Sequence, residues 1–310
     1  MSKVRIANYY DNRVSGRNDG NPLYMWNAFK QLGVESGHLV PEGDLTKFGT
    51  WDLHFEADWA EDALASMIPY EVQSIPHPSV FWTSDCHLGY DWRLAKAKRT
   101  DWNFVAQKRG LDEFVRDGIK DPILMYHAVE PMAYPHISSL KKYDLCFIGH
   151  INSGNRIEAL DRMFNEVEKI RTVPGKDPAF FYGQRLFEEA AEKYCQSKIV
   201  FNISIKDDIN MRVFETLSTK SFLLTNWIPT LGDLFEDGKH LVMYKTMDEA
   251  VDKMKYYLQH DAEREAIAEE GFKEVRGKHT FLHRAKQVLD VCLPGWDKET
   301  SSLLQEAVAV

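Results

Sequence analysis

The chain has 310 residues, of which 44% are hydrophobic and 12% aromatic, and its formal net charge is −9 at pH 7. This composition excludes a disordered chain and argues against a basic nucleic-acid module, while the length predicts two domains. The sequence contains no run of about 18 apolar residues that would predict a membrane span, and its N-terminus lacks the apolar region of a signal peptide. The four cysteines are far apart, which predicts free thiols. We therefore expect a cytoplasmic protein.

Short apolar runs alternate with amphipathic stretches of helical period, which is typical of parallel sheets with crossover helices. In the first half we predict strands at Val4 to Tyr9, Trp51 to Phe55, Ser79 to Thr83, Trp102 to Ala106 and Pro122 to Tyr126. Helices are predicted between them at Pro22 to Leu32, Glu61 to Met67, Tyr90 to Ala97 and Leu111 to Asp117.

A second alternating series begins at the run "YDLCFIGH". Its predicted strands are Tyr143 to Ile148, Ala179 to Tyr182, Lys198 to Ile203, Phe222 to Thr225 and Leu241 to Tyr244. Its predicted helices are Arg156 to Ile170, Arg185 to Tyr194, one that starts near Asn210, and three more that end near Cys292.

Turn formers and charges between Pro135 and Lys142 separate the two series. We therefore predict one domain at residues 1–141 and a second at 142–292, with a C-terminal helix at about 293–310 that packs back on the first domain. The predicted fold class is α/β, with two Rossmann-like, doubly wound parallel sheets that face a central cleft. Ligands of such sheets bind at the carboxyl ends of the strands.

Several cofactor motifs are missing from the sequence. No G-x-G-x-x-G follows the first strand, and "GFKEVRGKHT" fails as a phosphate loop because five residues separate its glycines. No D-x-D pair is present to hold a metal ion against a diphosphate, so we predict no metal site and no resident cofactor. A bound diphosphate would then be held by arginines and by helix N-termini.

The segment "DDINMRVFETL" follows a predicted strand and begins a helix. On that helix Arg212 and Glu215 share a face, and the cation in the first turn opposes the helix dipole. One interpretation is that Arg212 and the helix start bind a diphosphate while Glu215 binds a ribose diol. The alternative is an i, i+3 ion pair on a solvated face. Asp207, Asp208 or Asn210 is expected to cap the helix.

The stretch "NMRVFETLSTKSFLLTNW" and the following "LGDLFEDGKHLVMYKTMDEAVDKM" resemble the C-terminal domain of the CgeB-like glycosyltransferases, which are relatives of the retaining group-one enzymes with the GT-B fold. The runs "VFWTSDCH", "DWNFVAQK", "ILMYHAVEP" and "YDLCFIGH" resemble the first lobe and the interdomain crossing of that family. The resemblance implies GT-B architecture, with an acceptor-side domain at residues 1–141 and a nucleotide-sugar-binding domain at 142–292. It also implies sugar transfer from a nucleotide-diphosphate sugar, with a UDP-sugar expected, to an acceptor hydroxyl.

The resemblance also implies roles for individual residues. Glu215 contacts the ribose, Asp207 stands where the family has an acid that touches the transferred sugar, and Lys220 replaces a family glycine. Further donor-binding candidates are Arg212, Asn210, Gly149, Arg156, Tyr182 and Gly183, and His127 is a cleft candidate. Each has a structural alternative: a glycine can simply end a strand, Arg156 can open a solvated helix, and His127 or His87 can be a hydrogen-bonded structural histidine.

The acceptor is expected to lie against the first domain, where the loop after the first strand offers Gly16, Arg17, Asn18, Asp19 and Gly20. Retention of configuration follows from the family relation, whereas inversion would need a base from Asp11, Asp85, His87 or His127. A minor alternative is a nucleic-acid base as acceptor, contacted by "WRLAKAKRTDW", whose simpler interpretation is a solvated amphipathic helix. A nucleotide-sugar-binding protein or an epimerase without transfer is the competing function.

Overall fold

The computed structural model describes residues 4–9, 20–39, 50–58, 75–151, 156–170, 172, 179–182, 187–205 and 208–296. These residues form two compact units. One contains the described residues up to His127 together with those from Phe281 onward, and the other is Ala128–Thr280. No helix in the described ranges is long and apolar enough to cross a membrane.

The first unit is built on a parallel sheet. Its strands are β1 (Arg5–Tyr9), β2 (Glu35–Leu39), β3 (Leu53–Ala57), β4 (Ser79–Thr83), β5 (Trp102–Val105) and β6 (Ile123–Leu124), in the order β2-β1-β3-β4-β5-β6. Its first helices are α1 (Asn21–Gln31), α2 (Tyr90–Ala97) and α3 (Lys108–Arg116). Every residue of β3 and β4 is buried, as expected of strands covered on both faces.

Strand β2 is missing from the sequence prediction because "ESGHL" has neither apolar alternation nor β-branched residues. Its stability comes from tertiary partners. It pairs with β1 along its whole length, and Trp26 Nε1 donates to the Ser36 carbonyl at 2.9 Å. A Cβ on Gly37 would lie 2.4 Å from the Trp51 ring, so only glycine lets that ring pack on the strand. The predicted helix Glu61 to Met67 lies outside the described residues.

The second unit contains a five-stranded parallel sheet. Its strands are β7 (Tyr143–Ile148), β8 (Ala179–Tyr182), β9 (Ser197–Asn202), β10 (Leu223–Asn226) and β11 (Val242–Tyr244), in the order β11-β10-β9-β7-β8. Its helices are α4 (Arg156–Ile170), α5 (Phe187–Cys195), α6 (Met211–Ser218), α7 (Met247–Gln259) and α8 (Asp261–Lys278). Buried Leu145, Phe147, Phe201 and Leu224 form the centre of its core. The predicted elements of this half are confirmed, with boundary shifts of one or two residues.

The two units divide the chain earlier than the predicted boundary at 141 and 142. The segment after His127 packs on the second unit because the Tyr134 carbonyl accepts a hydrogen bond from Ser218 Oγ at 2.9 Å. In the same segment His136 Nδ1 lies 3.0 Å from the Thr219 carbonyl, and the Ile137 amide donates to Cys195 Sγ at 3.3 Å.

Helix α9 (Phe281–Cys292) belongs to the first unit, although the sequence prediction assigned it to the second domain. Buried Arg284 explains this placement: it donates from Nε to the Tyr126 carbonyl at 2.8 Å and from Nη2 to the His127 carbonyl at 2.9 Å. The Phe281 ring also packs on Tyr24 of α1, with centroids 5.0 Å apart. Most of the predicted C-terminal helix at 293–310, from residue 297 onward, lies outside the described residues.

Lys220 ends α6 in the left-handed region, with a φ of 57°, so the turn keeps the conformation that a glycine would give it. A side chain there costs about 1–2 kcal/mol, whereas its half-exposed ion pair with Glu269 stabilises by at most about 1 kcal/mol. We expect Lys220→Gly to raise the melting temperature of the second unit by roughly 1–4 °C. Lys220→Ala is the control: it loses the ion pair but keeps the strained φ, so an equal rise in that variant would contradict this explanation.

Candidate functional site

The strand order of the second sheet reverses between β7 and β9. The chain leaves β7 toward β8 on one side, whereas β9, β10 and β11 continue on the other side. In open parallel sheets the crevice at such a switch point, outside the carboxyl ends of the two strands, is where ligands bind. The residues at these two strand ends are Ile148, followed by Gly149, and Asn202.

Gly149 and Arg212 are in direct contact at this switch point. The glycine has a φ of 155°, and a Cβ built on it would lie 1.8 Å from Arg212 Nη2. No side chain fits there while the guanidinium keeps its position. The structure therefore brings together the glycine after β7 and the arginine in the first turn of α6. Both are predicted donor-binding residues.

The Arg212 side chain is fixed by several neighbours. Its Nη1 donates to Asn202 Oδ1 at 2.6 Å, and its guanidinium carbon lies 4.6 Å from the centroid of the Phe147 ring. It also lies close enough to the hydroxyl of buried Tyr194 to affect its pKa, which burial and then the charge of Glu215 raise and the charge of Arg212 lowers. Arg212 Nε is buried and has no hydrogen-bond partner among the described residues. The cation is therefore preorganised rather than mobile.

Asn202 is the functional candidate that the sequence prediction missed. It is fully buried at the carboxyl end of β9, where its Oδ1 accepts from Arg212 and from Asn210 Nδ2. Its Nδ2 donates to Thr225 Oγ1 at 2.9 Å, and its carbonyl accepts from Tyr244 at 2.9 Å. An amide that ends an otherwise apolar buried strand was the available signal, because such a polar group needs partners.

Arg156 lies at the same edge of the sheet, but its guanidinium donates hydrogen bonds to backbone carbonyls. Nε and Nη2 donate to the Ile203 carbonyl at 3.1 and 2.8 Å, and Nη1 donates to the His150 carbonyl at 2.8 Å. The side chain therefore ties together the loops after β7 and β9. Burial and then the charge of Arg212 lower its pKa to about 10, which still leaves it cationic at neutral pH. The structural alternative, in which Arg156 opens a solvated helix, is wrong because the residue is buried.

Asn210 and Glu215 complete the described part of the site. Asn210 directly precedes α6 at the N-cap position, but its side chain forms no capping hydrogen bond and instead donates to Asn202 and to Ser204 Oγ. The predicted side-chain cap from Asn210 is therefore wrong, because the buried Asn202 side-chain oxygen attracts the amide. Glu215 lies half-buried one turn further along α6, close enough to Tyr194 for its charge to raise the pKa of that phenol.

The predicted catalytic residue Asp207 and the predicted donor-binding residue Gly183 lie outside the described residues. The backbone of Tyr182 is described: it pairs with Ile148 in the β7 and β8 ladder, which places it at the same carboxyl edge as Gly149. Of the predicted donor residues, Gly149, Arg156, Asn210, Arg212 and Glu215 therefore lie on the elements around the switch point, with the Tyr182 backbone beside them.

The predicted catalytic residues of the first unit lie at the carboxyl ends of its strands. Asp85 and His87 follow β4, and His127 follows β6. His127 is buried, and burial lowers its pKa, an effect that the Asp85 charge opposes and the Arg284 charge strengthens. The structure thus brings Asp85 and His127 into electrostatic contact within the unit. Half-buried His87 follows Cys86 in the same loop.

Most of the predicted acceptor loop, namely Gly16, Arg17, Asn18 and Asp19, lies outside the described residues, as does Asp11. Gly20 is described and precedes α1 with a φ of 109°, a backbone conformation that favours glycine. Its carbonyl accepts the Tyr24 amide at 3.1 Å, so Gly20 helps to start the helix.

The basic stretch "WRLAKAKRTDW" differs from both of its sequence interpretations. Arg93 and Lys96 are almost completely buried, and they pair with Asp58 and Glu56, each at 2.5 Å. These two cations are therefore unavailable to a polynucleotide backbone, and they do not lie on a solvated face. The sequence pattern missed this because the partner acids lie on β3 and just after it, far away in the chain.

The four cysteines are free and buried, which confirms the prediction of isolated thiols. Within the described ranges, no three His, Cys, Asp or Glu side chains are grouped so that they could hold a metal ion.

Comparison with known proteins gives a family match over part of the chain. Residues 157–290 match the family model described as glycosyl transferase-like. This range runs from α4 into α9 and includes Asn202, Arg212 and Glu215. No curated protein matches the chain by sequence.

Solved structures supply the fold. Sucrose-phosphate synthase from Thermosynechococcus elongatus is similar with a TM-score of 0.64 and 10% identity, over 93% of this chain and 98% of that one. An alpha-glucosyltransferase in complex with UDP and a 13-mer DNA has a TM-score of 0.62 and 9% identity, over 94% and 100%. The chain has the GT-B fold. The predicted fold class is thereby confirmed, and the match over residues 157–290 agrees with the prediction of a glycosyltransferase.

A third GT-B structure is longer than this chain. TarM from S. aureus, in complex with Fondaparinux, alpha-GlcNAc-glycerol and UDP, is similar with a TM-score of 0.58 and 11% identity. The match covers 80% of this chain but only 57% of TarM. This GT-B chain thus spans little more than half the length of that relative.

Proposed function

We propose that the chain is a glycosyltransferase that moves a sugar from a nucleotide-diphosphate sugar, most simply a UDP-sugar, to an acceptor hydroxyl. The observation that carries this proposal is the guanidinium of Arg212, which is packed against Gly149 at the switch point of the second sheet. TarM and the alpha-glucosyltransferase were both solved in complex with UDP, which supports this choice of donor. We further propose the CgeB-like subgroup and a cytoplasmic location; the location is supported by the free thiols.

The chemistry requires charge stabilisation on the leaving group. The bond between the anomeric carbon and a diphosphate oxygen breaks, and negative charge grows on the diphosphate. In this proposal Arg212 donates to these oxygens, which is supported by the charge of Arg156 beside it. The start of α6, where no side chain of Asn210 caps the backbone, adds the positive end of a helix dipole. In this proposal Glu215 binds the ribose diol and Asp207 contacts the transferred sugar.

Donor turnover tests the proposal directly. We expect at least one compound in a panel of UDP-, GDP-, ADP- and TDP-sugars to be hydrolysed slowly, because water enters when the acceptor is missing. Release of the nucleoside diphosphate is measured by coupled assay. We expect the rate to survive excess EDTA, since in this proposal guanidinium groups rather than a metal ion carry the charge. Complete loss of activity on chelation would contradict metal-independent transfer.

The same panel separates the alternative function. A nucleotide-sugar-binding protein without transfer should gain melting temperature with its ligand but release no diphosphate. An epimerase would change the sugar while the diphosphate bond stays intact. Asp207 stands where the resembling family usually has the longer glutamate. This sequence feature favours the alternative of a protein that does not transfer the sugar.

We propose that transfer retains the anomeric configuration. In the retaining reaction the acceptor oxygen bonds to the anomeric carbon on the face that the diphosphate leaves, and the hydroxyl proton passes to the departing phosphate. The coupling constant of the anomeric proton, measured by NMR on fresh product, should therefore match that of the donor. A coupling constant typical of the other anomer would indicate inversion and a protein base, for which Asp11, Asp85, His87 and His127 are the candidates.

The nucleic-acid acceptor remains a minor proposal. The alpha-glucosyltransferase was solved with a 13-mer DNA, which is a ligand of that protein. In this chain the helix that suggested such an acceptor buries Arg93 and Lys96 in ion pairs. This observation favours an acceptor other than a polynucleotide.

A further inference from the structure

The loop Thr83–Cys86, at the carboxyl end of β4, presents a single carboxylate. Thr83, Ser84 and Cys86 are 0%, 3% and 1% exposed, whereas Asp85 is half-buried. Of these four side chains, Asp85 is therefore the one that solvent reaches. It lies at the edge of the first sheet where parallel folds bind their ligands.

This loop is held from one side by a buried ion pair. Thr83 Oγ1 donates to Asp58 Oδ2 at 2.8 Å, and Ser84 Oγ donates to the Asp58 carbonyl at 3.1 Å. Asp58 in turn accepts from Arg93 Nε at 2.5 Å and from Arg93 Nη2 at 3.1 Å. Burying two charges costs desolvation energy that their attraction does not reliably repay. What such a bidentate pair does provide is a fixed geometry for the backbone that it holds.

Residues that follow β5 hold the loop from the other side. Gln107 is buried and its Nε2 lies 3.4 Å from Asp85 Oδ1, which restricts the carboxylate. Cys86 packs so closely on Gly110 that a Cβ there would lie 2.6 Å from Sγ. The loop is thus fixed on both sides of Asp85.

Among the described residues, no basic side chain neutralises the charge of Asp85. In the described ranges no arginine or lysine forms an ion pair with it. His127 is a titratable side chain within electrostatic reach, and its Nδ1 is buried without a hydrogen-bond partner there. Burial lowers the pKa of that imidazole, so it stays neutral near pH 7 although the Asp85 charge acts in the opposite direction. A carboxylate that is held rigidly and forms no ion pair is suited to accept hydrogen bonds from a ligand.

We propose that Asp85 accepts a hydrogen bond from the acceptor hydroxyl and thereby orients it, and that the acceptor is a neutral sugar or polyol. This inference rests on the proposed transferase function. We infer a neutral acceptor because Asp85 carries a charge that no described basic side chain neutralises. This charge would repel a phosphate or a polynucleotide backbone. During transfer the hydroxyl proton still leaves with the diphosphate, so Asp85 gains no proton.

The test compares Asp85→Asn with Asp91→Asn, since Asp91 is an exposed acid on α2 in the same unit. The donor from the panel above is used, with water and then glycerol as acceptors, and UDP affinity is measured by calorimetry. We expect Asp85→Asn to slow donor hydrolysis roughly 10-fold or more, since misplacing a reactant costs up to about 100-fold. UDP affinity and melting temperature should stay close to wild type, and Asp91→Asn should change none of these values.

Three outcomes would overturn the inference and can be told apart from failure of the function itself. If Asp85→Asn hydrolyses the donor at the wild-type rate, Asp85 does not orient the acceptor. The same conclusion follows if the wild-type protein binds UDP but hydrolyses no donor. Transfer to glycerol 3-phosphate in preference to glycerol removes the neutral class. If the wild-type protein binds no nucleoside diphosphate at all, the proposed function itself is wrong.

Discussion

Replacing Arg212 by alanine is expected to lower donor turnover by about 100- to 1,000-fold, the equivalent of about 2.7–4 kcal/mol for one well-placed donor to a developing anion. The reason is geometric as well as electrostatic. Asn202, Tyr194 and the Phe147 ring fix the guanidinium before the donor arrives, so its orientation costs little at the moment of reaction. Steady-state hydrolysis of the UDP-sugar gives kcat, and calorimetry gives the UDP affinity.

Two further variants define what Arg212 contributes. Arg212→Lys keeps the charge but loses the planar donor pair, so it should fall between wild type and alanine. Arg162→Ala is the matched control, because that arginine is exposed on α4 and forms a surface ion pair with Asp248. A loss of less than about threefold in Arg212→Ala, in a protein that melts normally, would show that the diphosphate binds elsewhere.

Replacing Gly149 by alanine is expected to weaken UDP binding by roughly 10- to 100-fold, even though the added methyl group carries no charge. Its Cβ would lie 1.8 Å from Arg212 Nη2, so the guanidinium must leave its position. A displacement of this size misaligns the donor groups, and misplacement by about 1 Å can cost about 100-fold in rate. Titration calorimetry with UDP measures the effect on binding.

Gly277→Ala is the matched control for this substitution. Gly277 lies near the end of α8, and a Cβ there would meet nothing within 4 Å. Alanine should raise the free energy of unfolding by about 0.5–1 kcal/mol and leave UDP binding unchanged.

A double-mutant cycle shows whether Gly149 acts through Arg212. If it does, Gly149→Ala should add little to the loss already caused by Arg212→Ala, because residues in contact are not independent. Full additivity of the two losses would contradict the mechanism and would assign Gly149 a separate contact with the nucleotide.

The local sequence was sufficient for most of the fold. Apolar runs such as "SVFWT" and "YDLCFI" predicted β4 and β7 correctly, because strands buried on both faces need continuous apolar residues. Strand β2 was missed for the same reason, since its stability depends on β1, Trp26 and Trp51 rather than on its own residues. Helix α9 was predicted, but it was assigned to the second domain rather than to the first unit. The reason is that the backbone carbonyls that bind Arg284 lie far away in the chain.

For the candidate site, the sequence by itself determined which residue types were available: an arginine and an acid on one face of α6, and a glycine after β7. The tertiary structure decided how they meet. It placed Arg212 on Gly149 and bonded it to Asn202, and it joined the loops after β7 and β9 through Arg156. It also turned Asn210 away from its capping position and buried Arg93 and Lys96. Periodicity reports which face of an element is buried, whereas hydrogen bonds and ion pairs between distant segments depend on strand order and on packing.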